Sequence, residues 1–243
     1  MNFEDRIKRE PRKDRYTKTD LIKEGYLIAT EKNLEVYFAP FDYINKTAPV
    51  VIVGITPGWT QMEKSFNTVI TELHKGYSYE SALKKVKSES SFAGSMRSNL
   101  IKMLDELGLH EKLNLKSTAN LFDLDNDLLH STSALRYPVF SSGRNYTGSS
   151  PSPLKSSLLW NQIETHLVPE MCFFTDALII PLGKNVNDIF IELQSNNKLN
   201  SNYILSGFPH PSGANGHRAK QFELNKALMI NKIEQWKRES KAN

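Results

Sequence analysis

Two short motifs in this chain of 243 residues carry side chains that could take part in catalysis. The first is Gly-Ile-Thr-Pro-Gly at residues 54–58, which follows the apolar run 50–53. The second is His-Pro-Ser-Gly at residues 210–213, shortly after a second apolar run at 203–205. A threonine hydroxyl can position a water molecule, although it cannot act as a general base near neutral pH. The glycines of the first motif let the main chain approach a ligand closely.

Both motifs are predicted to follow β-strands. The four β-branched residues 50–53 predict a central strand buried on both faces, because a half-buried strand would alternate polar and apolar positions. Further strands are predicted at 128–135, 177–183 and 203–206, with helical patterns between them. This alternation predicts an α/β fold, a three-layer α/β/α sandwich with a mainly parallel four-stranded central sheet. Ligands of such sheets lie beyond the carboxyl ends of the strands.

Helical periodicity is found in several segments between and around these strands. The predicted helices cover residues 19–33, 60–88, 95–107, 154–166 and 217–238. The last of them is expected to bury an apolar face formed by Phe222, Leu228, Met229, Ile233 and Trp236. Residues 138–153 are rich in Ser, Gly and Pro and are interpreted as a long loop.

The formal charge of +4 is concentrated near the amino terminus, where residues 1–18 carry a net +3 from seven basic and four acidic side chains. We interpret this segment as a basic arm, either contacting phosphates or forming a solvated terminus. Residues 19–243 are expected to form a single domain, with an insertion at about 60–90. A basic balance permits nucleic-acid binding without demonstrating it.

Several function classes are disfavoured by the composition. Cys172 is the single cysteine, so no internal disulfide or four-thiolate iron-sulfur cluster is expected, and its apolar neighbours suggest a buried position. The chain has no apolar stretch of about 20 residues and no apolar signal-peptide core, which leads us to expect a cytoplasmic protein. The sequence also lacks a Gly-x-Gly-x-x-Gly or Walker-type loop, which disfavours a nucleotide-binding α/β enzyme.

The order of the motifs from about residue 48 to 225 resembles the uracil-DNA glycosylase superfamily. The resemblance rests on residues 54–58 and 210–213, on Phe-x-Gly at 92–94 and on Leu-Gly-Lys at 182–184. It implies a monofunctional glycosylase that hydrolyses the N-glycosidic bond of a flipped-out uracil or modified pyrimidine and leaves an abasic site, in repair or in defence against phage. It implies no metal or organic cofactor. The expected partner is DNA containing such a base. No membrane partner is expected, and the protein is expected to be a monomer.

The resemblance also assigns roles to individual residues. The catalytic residues would be Thr56, which holds the attacking water, and His210, which donates a hydrogen bond to the departing base. The expected base-binding residues are Gly54, Ile55, Gly58, Phe92, Thr132 and Ser133. The expected DNA-binding residues are Arg144, Ser150, Ser152, Lys184, Ser212, Asn215 and Arg218.

The chain departs from the superfamily at two of these positions. Thr56 stands where the superfamily shows Asp, Glu or Asn, so Asp42 or the acidic residues of 123–127 are candidates for activating water. Thr132 and Ser133 stand where an Asn commonly pairs with uracil, and hydroxyls recognise a base less strictly than a carboxamide does. The expected insertion at about 60–90 would either enlarge the pocket for a bulky modified base or be a family-specific decoration with no role in substrate choice. A catalytically impaired DNA-binding or damage-sensing module of the same fold is the alternative.

Overall fold

The computed structural model describes residues 2–92, 94–199 and 203–240. Within it the chain divides into two compact units, each assembled from three segments. Unit 1 comprises Met1–Tyr43, Ile55–Ser91 and Leu135–Leu167, and unit 2 comprises Ile44–Gly54, Phe92–Ala134 and Val168–Asn243. Residues on both sides of position 18 belong to unit 1.

The helices and strands are numbered in chain order. The strands are β1 (Leu27–Glu31), β2 (Leu34–Tyr37), β3 (Val50–Gly54), β4 (Leu129–Ser133), β5 (Val139–Ser141), β6 (Arg144–Asn145) and β7 (Leu178–Pro181). The α-helices are α1 (Phe3–Arg9), α2 (Lys18–Leu21), α3 (Trp59–His74), α4 (Tyr79–Ser90), α5 (Ser95–Glu106), α6 (Leu109–Lys112), α7 (Ser157–Gln162), α8 (Val168–Met171), α9 (Lys184–Ser195) and α10 (Arg218–Glu239). A π-helical turn, Ile163–Leu167, follows α7.

Unit 2 contains a parallel sheet in the order β4-β3-β7. Every residue of β3 is buried, as its run of β-branched side chains predicts. The predicted fourth strand is reduced to one parallel bridge between Ile179 and Ile204. Main-chain hydrogen bonds join Ile179 to Tyr203 and Leu205, after which the chain turns away at Gly207, whose φ is +85°. The mixed α/β class is therefore confirmed, with three full parallel strands in this sheet.

The core of unit 2 lies on the face of the sheet that carries Val50 and Ile52, and it includes apolar side chains of α5 and α10. Phe222, Met229, Ile233 and Trp236 are buried as predicted, whereas Leu228 is 69% exposed. The prediction for Leu228 was wrong because the four buried positions already form one helical stripe, and residue 228 is turned away from it.

Unit 1 contains an antiparallel sheet in the order β1-β2-β5-β6. The prediction of a helix at 19–33 was wrong, since α2 ends at Leu21 and β1 begins at Leu27. The expected long loop 138–153 contains β5 and β6. In both segments, pairing with β2 or β5 supplies main-chain hydrogen bonds that local sequence patterns cannot reveal. The predicted insertion at 60–90 forms α3 and α4, which pack against each other.

The described part of the basic arm is packed within unit 1. The Phe3 ring stacks on Phe38 with centroids 4.0 Å apart, and Ile7 and Tyr16 are buried. Cys172, expected to be buried, is exposed in unit 2. Among the described residues, no helix combines the length and the apolar composition needed to cross a membrane.

A buried polar pair joins β4 to α8 in unit 2. His130 and Glu170 are each 1% exposed, and His130 Nε2 lies 2.6 Å from Glu170 Oε1. The main-chain N–H of Asn45 donates to His130 Nδ1 at 3.4 Å, so in this arrangement Nε2 carries the proton and donates to the carboxylate. Both side chains thus have partners for atoms that would otherwise be costly to bury.

We expect Glu170→Ala to lower the free energy of unfolding of unit 2 by about 1–3 kcal/mol, because the buried imidazole N–H loses its acceptor. The measurement is urea denaturation followed by circular dichroism. Glu223→Ala, on the exposed side of α10, is the control and should change stability by less than about 0.5 kcal/mol. Equal stability of the Glu170 variant and the control would contradict a structural role for the pair.

Candidate functional site

The carboxyl edge of the parallel sheet brings together three of the predicted base-binding residues. Gly54 ends β3 and pairs with Ser133, which ends β4. A Cβ atom at position 54 would lie 3.3 Å from Phe92 Cε1 and 3.6 Å from Ser133 Oγ. Glycine therefore allows the Phe92 ring to approach the end of the central strand.

Phe92 occupies a conformation that is unusual for an aromatic residue. Its φ is +49°, in the left-handed region that costs energy for side chains with a Cβ. The ring is 7% exposed and belongs to the apolar core of unit 2. It thus contributes to packing, and little of its face is open for stacking on a base in this conformation.

Thr132 carries an orphaned hydroxyl one residue before the end of β4. Its Oγ1 is buried and has no hydrogen-bond partner within the part of the chain that the structure describes, and the residue is 6% exposed. A buried hydroxyl without a partner is costly in a folded protein. Thr132 pairs with Val53 and Ser133 with Gly54, so the two side chains point to opposite faces of the sheet.

The geometry around His210 fixes the tautomer of its neutral imidazole. The main-chain N–H of Ser212 donates to Nδ1 at 3.3 Å, so Nδ1 is the acceptor and Nε2 carries the proton. Burial lowers the pKa of His210 from its usual value of 6.5, which favours this neutral form. His210 can therefore offer Nε2–H as a hydrogen-bond donor at neutral pH.

Two neighbouring contacts position this histidine. A Cβ at Gly183, just after β7, would lie 3.0 Å from His210 Cβ, and Gly183 has a φ of +85°. The Asn99 side chain donates to the carbonyl of Pro211 at 2.9 Å. Gly183 and Asn99 were not predicted as site residues. The positive φ of Gly183 depends on the path of the chain and is not visible in the sequence.

The loop after His210 is held by residues that were expected to contact DNA. Asn215 Nδ2 donates to the His210 carbonyl at 3.2 Å and to Gln221. Arg218 Nη1 donates to the Ser212 carbonyl at 2.7 Å, at the start of α10. Ser212 Oγ accepts the N–H of Ala214. Each of these side chains shapes the loop in this conformation, and their predicted DNA contacts stay predictions.

Unit 1 holds Thr56, whose hydroxyl is already engaged. Thr56 Oγ1 donates to the Tyr137 carbonyl at 3.0 Å and accepts the N–H of Val139 at 3.2 Å. One acceptor lone pair is left for a water molecule. Tyr137 OH donates to Asp42 Oδ1 at 2.6 Å, so the carboxylate considered for water activation contacts the same tyrosine through its side chain.

The other residues of the first motif that belong to unit 1 also form hydrogen bonds within that unit. The Gly58 N–H donates to Gln61 Oε1 at 2.8 Å, and Asn145 Oδ1 accepts the Trp59 N–H at 2.9 Å, at the start of α3. Ile55 accepts the N–H of Leu135. Asn145 was missed by sequence reasoning, because 86 residues separate it from Trp59.

The remaining predicted DNA-binding residues lie at separate places. Arg144 lies in β6 of unit 1, where Ser150 is exposed and Ser152 precedes a short 3₁₀ turn. Lys184 begins α9 in unit 2 and forms an ion pair with Asp188 at 2.5 Å.

We expect Thr56→Val to lower the free energy of unfolding by about 1–3 kcal/mol, because the Val139 N–H loses its acceptor. Thr56→Ser keeps the hydroxyl and should remain closer to wild type. Thr71→Val in α3 removes only a weak hydrogen bond of 3.4 Å and is the control. Urea denaturation of the three variants tests this, and wild-type stability of Thr56→Val would contradict a structural role for the hydroxyl.

We also expect the His210 imidazole to titrate below pH 6.5 in an NMR titration of its Cε1 proton, because burial disfavours the charged ring. The unfolded chain then binds this proton more readily than the folded protein. The free energy of unfolding should consequently fall as the pH drops below about 6.5, and His210→Gln should remove that part of the pH dependence. Titration of His210 at or above pH 6.5 would contradict the proposed environment.

This chain is similar along most of its length to a known bacterial protein. No protein-family model matches the chain. The uncharacterized protein YoxB of Bacillus subtilis (strain 168) is 40% identical over 219 residues, which cover 89% of this chain and 86% of YoxB. Identity at this level along most of both chains implies a common fold. The chain therefore belongs to the same family as the uncharacterized protein YoxB of Bacillus subtilis.

Proposed function

We propose that this protein is a monofunctional DNA glycosylase of the uracil-DNA glycosylase superfamily. As part of this proposal, the protein has a three-layer α/β/α sandwich fold in which residues 203–205 act as a fourth parallel strand. We also propose that the protein is cytoplasmic and monomeric and that it acts on DNA containing uracil or a modified pyrimidine. The neutral His210 imidazole with its proton on Nε2 carries the proposal, since it provides the donor that base release requires.

The chemistry makes this donor useful. When the N-glycosidic bond breaks, its electron pair leaves with the base, and negative charge develops on the base oxygen while the sugar becomes cationic. A neutral N–H aimed at that oxygen stabilises the charge without transferring a proton in the ground state. The Ser212 N–H holds Nδ1 and so keeps the proton on Nε2, as a positioned donor requires. Water then adds to the sugar carbon, loses a proton to solvent or a nearby base, and leaves an abasic site.

The base-binding end of the site is assigned to the carboxyl edge of the sheet in unit 2. Gly54, Phe92 and Ser133 lie together there, whereas the orphaned Thr132 hydroxyl points to the opposite face of the sheet. The Ser133 hydroxyl can both donate and accept, so it can serve a uracil edge or a modified pyrimidine. This supports a pyrimidine as the substrate without selecting one base.

The water-holding role proposed for Thr56 in unit 1 has weaker chemical support. Thr56 retains one lone pair after its two contacts within unit 1 and cannot remove a proton near neutral pH. Base release is therefore expected to depend on a good leaving group more than on water activation. Neither motif contains a lysine that could attack the sugar, which favours simple hydrolysis over lyase chemistry.

A DNA-binding or damage-sensing module is the second candidate, and the engagement of Thr56 favours it. Without a carboxylate in residues 54–58, the fold could keep base recognition while losing turnover. Such a module would bind DNA with a salt dependence set by phosphate contacts, and His210 would contribute to recognition only.

The test measures alkali-labile abasic sites in labelled single-stranded and duplex DNA that contains uracil, a bulky modified cytosine or only normal bases. We expect base release by the wild type and a loss of about 10²–10³-fold in His210→Ala, because one donor to the developing charge is removed. His217→Ala is the matched control, since this exposed histidine lies in the same loop.

Three outcomes of this test are decisive. Absence of abasic product from every substrate, with DNA binding retained in His210→Ala, would establish the binding-module alternative. Equal losses in the His210 and His217 variants would remove His210 from the mechanism. Release of uracil without release of the modified cytosine would exclude a pocket enlarged for bulky bases.

A further inference from the structure

A cleft of about 430 Å³ lies at the edge of the unit 2 sheet opposite the candidate site. It is lined by residues that directly precede the three parallel strands, namely Pro49 before β3, Leu128 before β4 and Ala177 before β7. Because the strands are parallel, their amino ends share this edge, while Gly54 and Ser133 lie at the carboxyl edge. The cleft is therefore separate from the residues proposed for base release.

Two lysines border the cleft, and each lies over an aromatic ring. Lys46 Nζ is 4.5 Å from the centroid of the Phe173 ring, and Lys237 Nζ is 5.9 Å from the centroid of the Trp236 ring. Within the described ranges neither lysine forms an ion pair with a carboxylate. Their charges are available to a ligand, and the aromatic rings extend the surface beneath them.

Asp176 is the acidic residue among those that line the cleft, so two lysines and one aspartate give the lining a formal charge of +1. The Trp236 indole N–H donates to the main-chain carbonyl of Asp176 at 3.0 Å, which fixes the ring. Trp236 is 2% exposed, whereas Phe173 is 46% exposed. The cleft thus combines a rigid apolar floor, an exposed aromatic side chain and excess positive charge.

We infer that this cleft binds a small organic anion that carries a flat apolar ring. Its volume is within the range of about 300–1,000 Å³ that is usual for small-ligand sites. The ring would pack between Phe173 and the apolar floor, and the anionic group would pair with Lys46 and Lys237. This binding is reversible and noncovalent. The inference does not depend on glycosylase activity.

The test uses the three tryptophans of the chain as internal reporters. Trp236 lines the cleft, while Trp59 and Trp160 belong to unit 1. In ¹H–¹⁵N spectra of the full chain, 2-naphthoate is the probe and 2-naphthalenemethanol is its neutral counterpart. We expect a saturable shift of the Trp236 indole signal with 2-naphthoate, with the signals of Trp59 and Trp160 unchanged.

Charge recognition is tested with the double variant Lys46→Gln/Lys237→Gln, with Lys220→Gln on the exposed side of α10 as control. The double variant should bind 2-naphthoate about threefold to tenfold more weakly, since partly exposed ion pairs contribute modestly. The control should bind it as the wild type does. Equal affinity of the wild type for the two probes, or of the double variant and the wild type for 2-naphthoate, would overturn the inference. A Trp236 signal that does not respond at millimolar 2-naphthoate would also overturn it.

Discussion

The parallel pairing of β3 with both β4 and β7 is the constraint on which unit 2 depends. β3 is buried along its whole length and forms hydrogen bonds on both edges, so it cannot slip relative to its neighbours without breaking two ladders. The direction of the three strands then decides which residues meet. Gly54 and Ser133 meet at the carboxyl edge because they are paired in register, although 79 positions separate them in the sequence.

In each unit, main-chain groups determine what the candidate side chains can do. The Ser212 N–H decides which nitrogen of His210 carries the proton, and burial keeps the ring neutral. In unit 1, Thr56 must donate to the Tyr137 carbonyl and accept from the Val139 N–H. An ionised aspartate has no proton to donate and would place its charge against a carbonyl oxygen. This local requirement explains why a residue with both a donor and an acceptor occupies position 56.

Elements with strong local patterns were predicted best from the sequence. The apolar run 50–53 predicted a buried strand, and the helical periodicity of residues 95–107 predicted α5, because burial and amphipathic periodicity leave local signals. The predicted fourth strand at 203–206 and the helix at 19–33 depended on partners elsewhere in the chain. Within the site, the motif histidine was identifiable, whereas Asn145, Asn99 and the conformation of Gly183 depend on distant pairings. Propensity cannot report contacts across 80 or more residues.

The two edges of the unit 2 sheet differ in chemistry because parallel strands give the sheet a polarity. The unit 2 groups proposed for base release at the carboxyl edge include the Ser133 hydroxyl, a neutral imidazole and glycine main chain, which would suit a base whose charge develops only as a bond breaks. At the amino edge the cleft carries Lys46 and Lys237, which suit a ligand that is already an anion before it binds. The strand length between the two edges limits any electrostatic influence of one proposed site on the other.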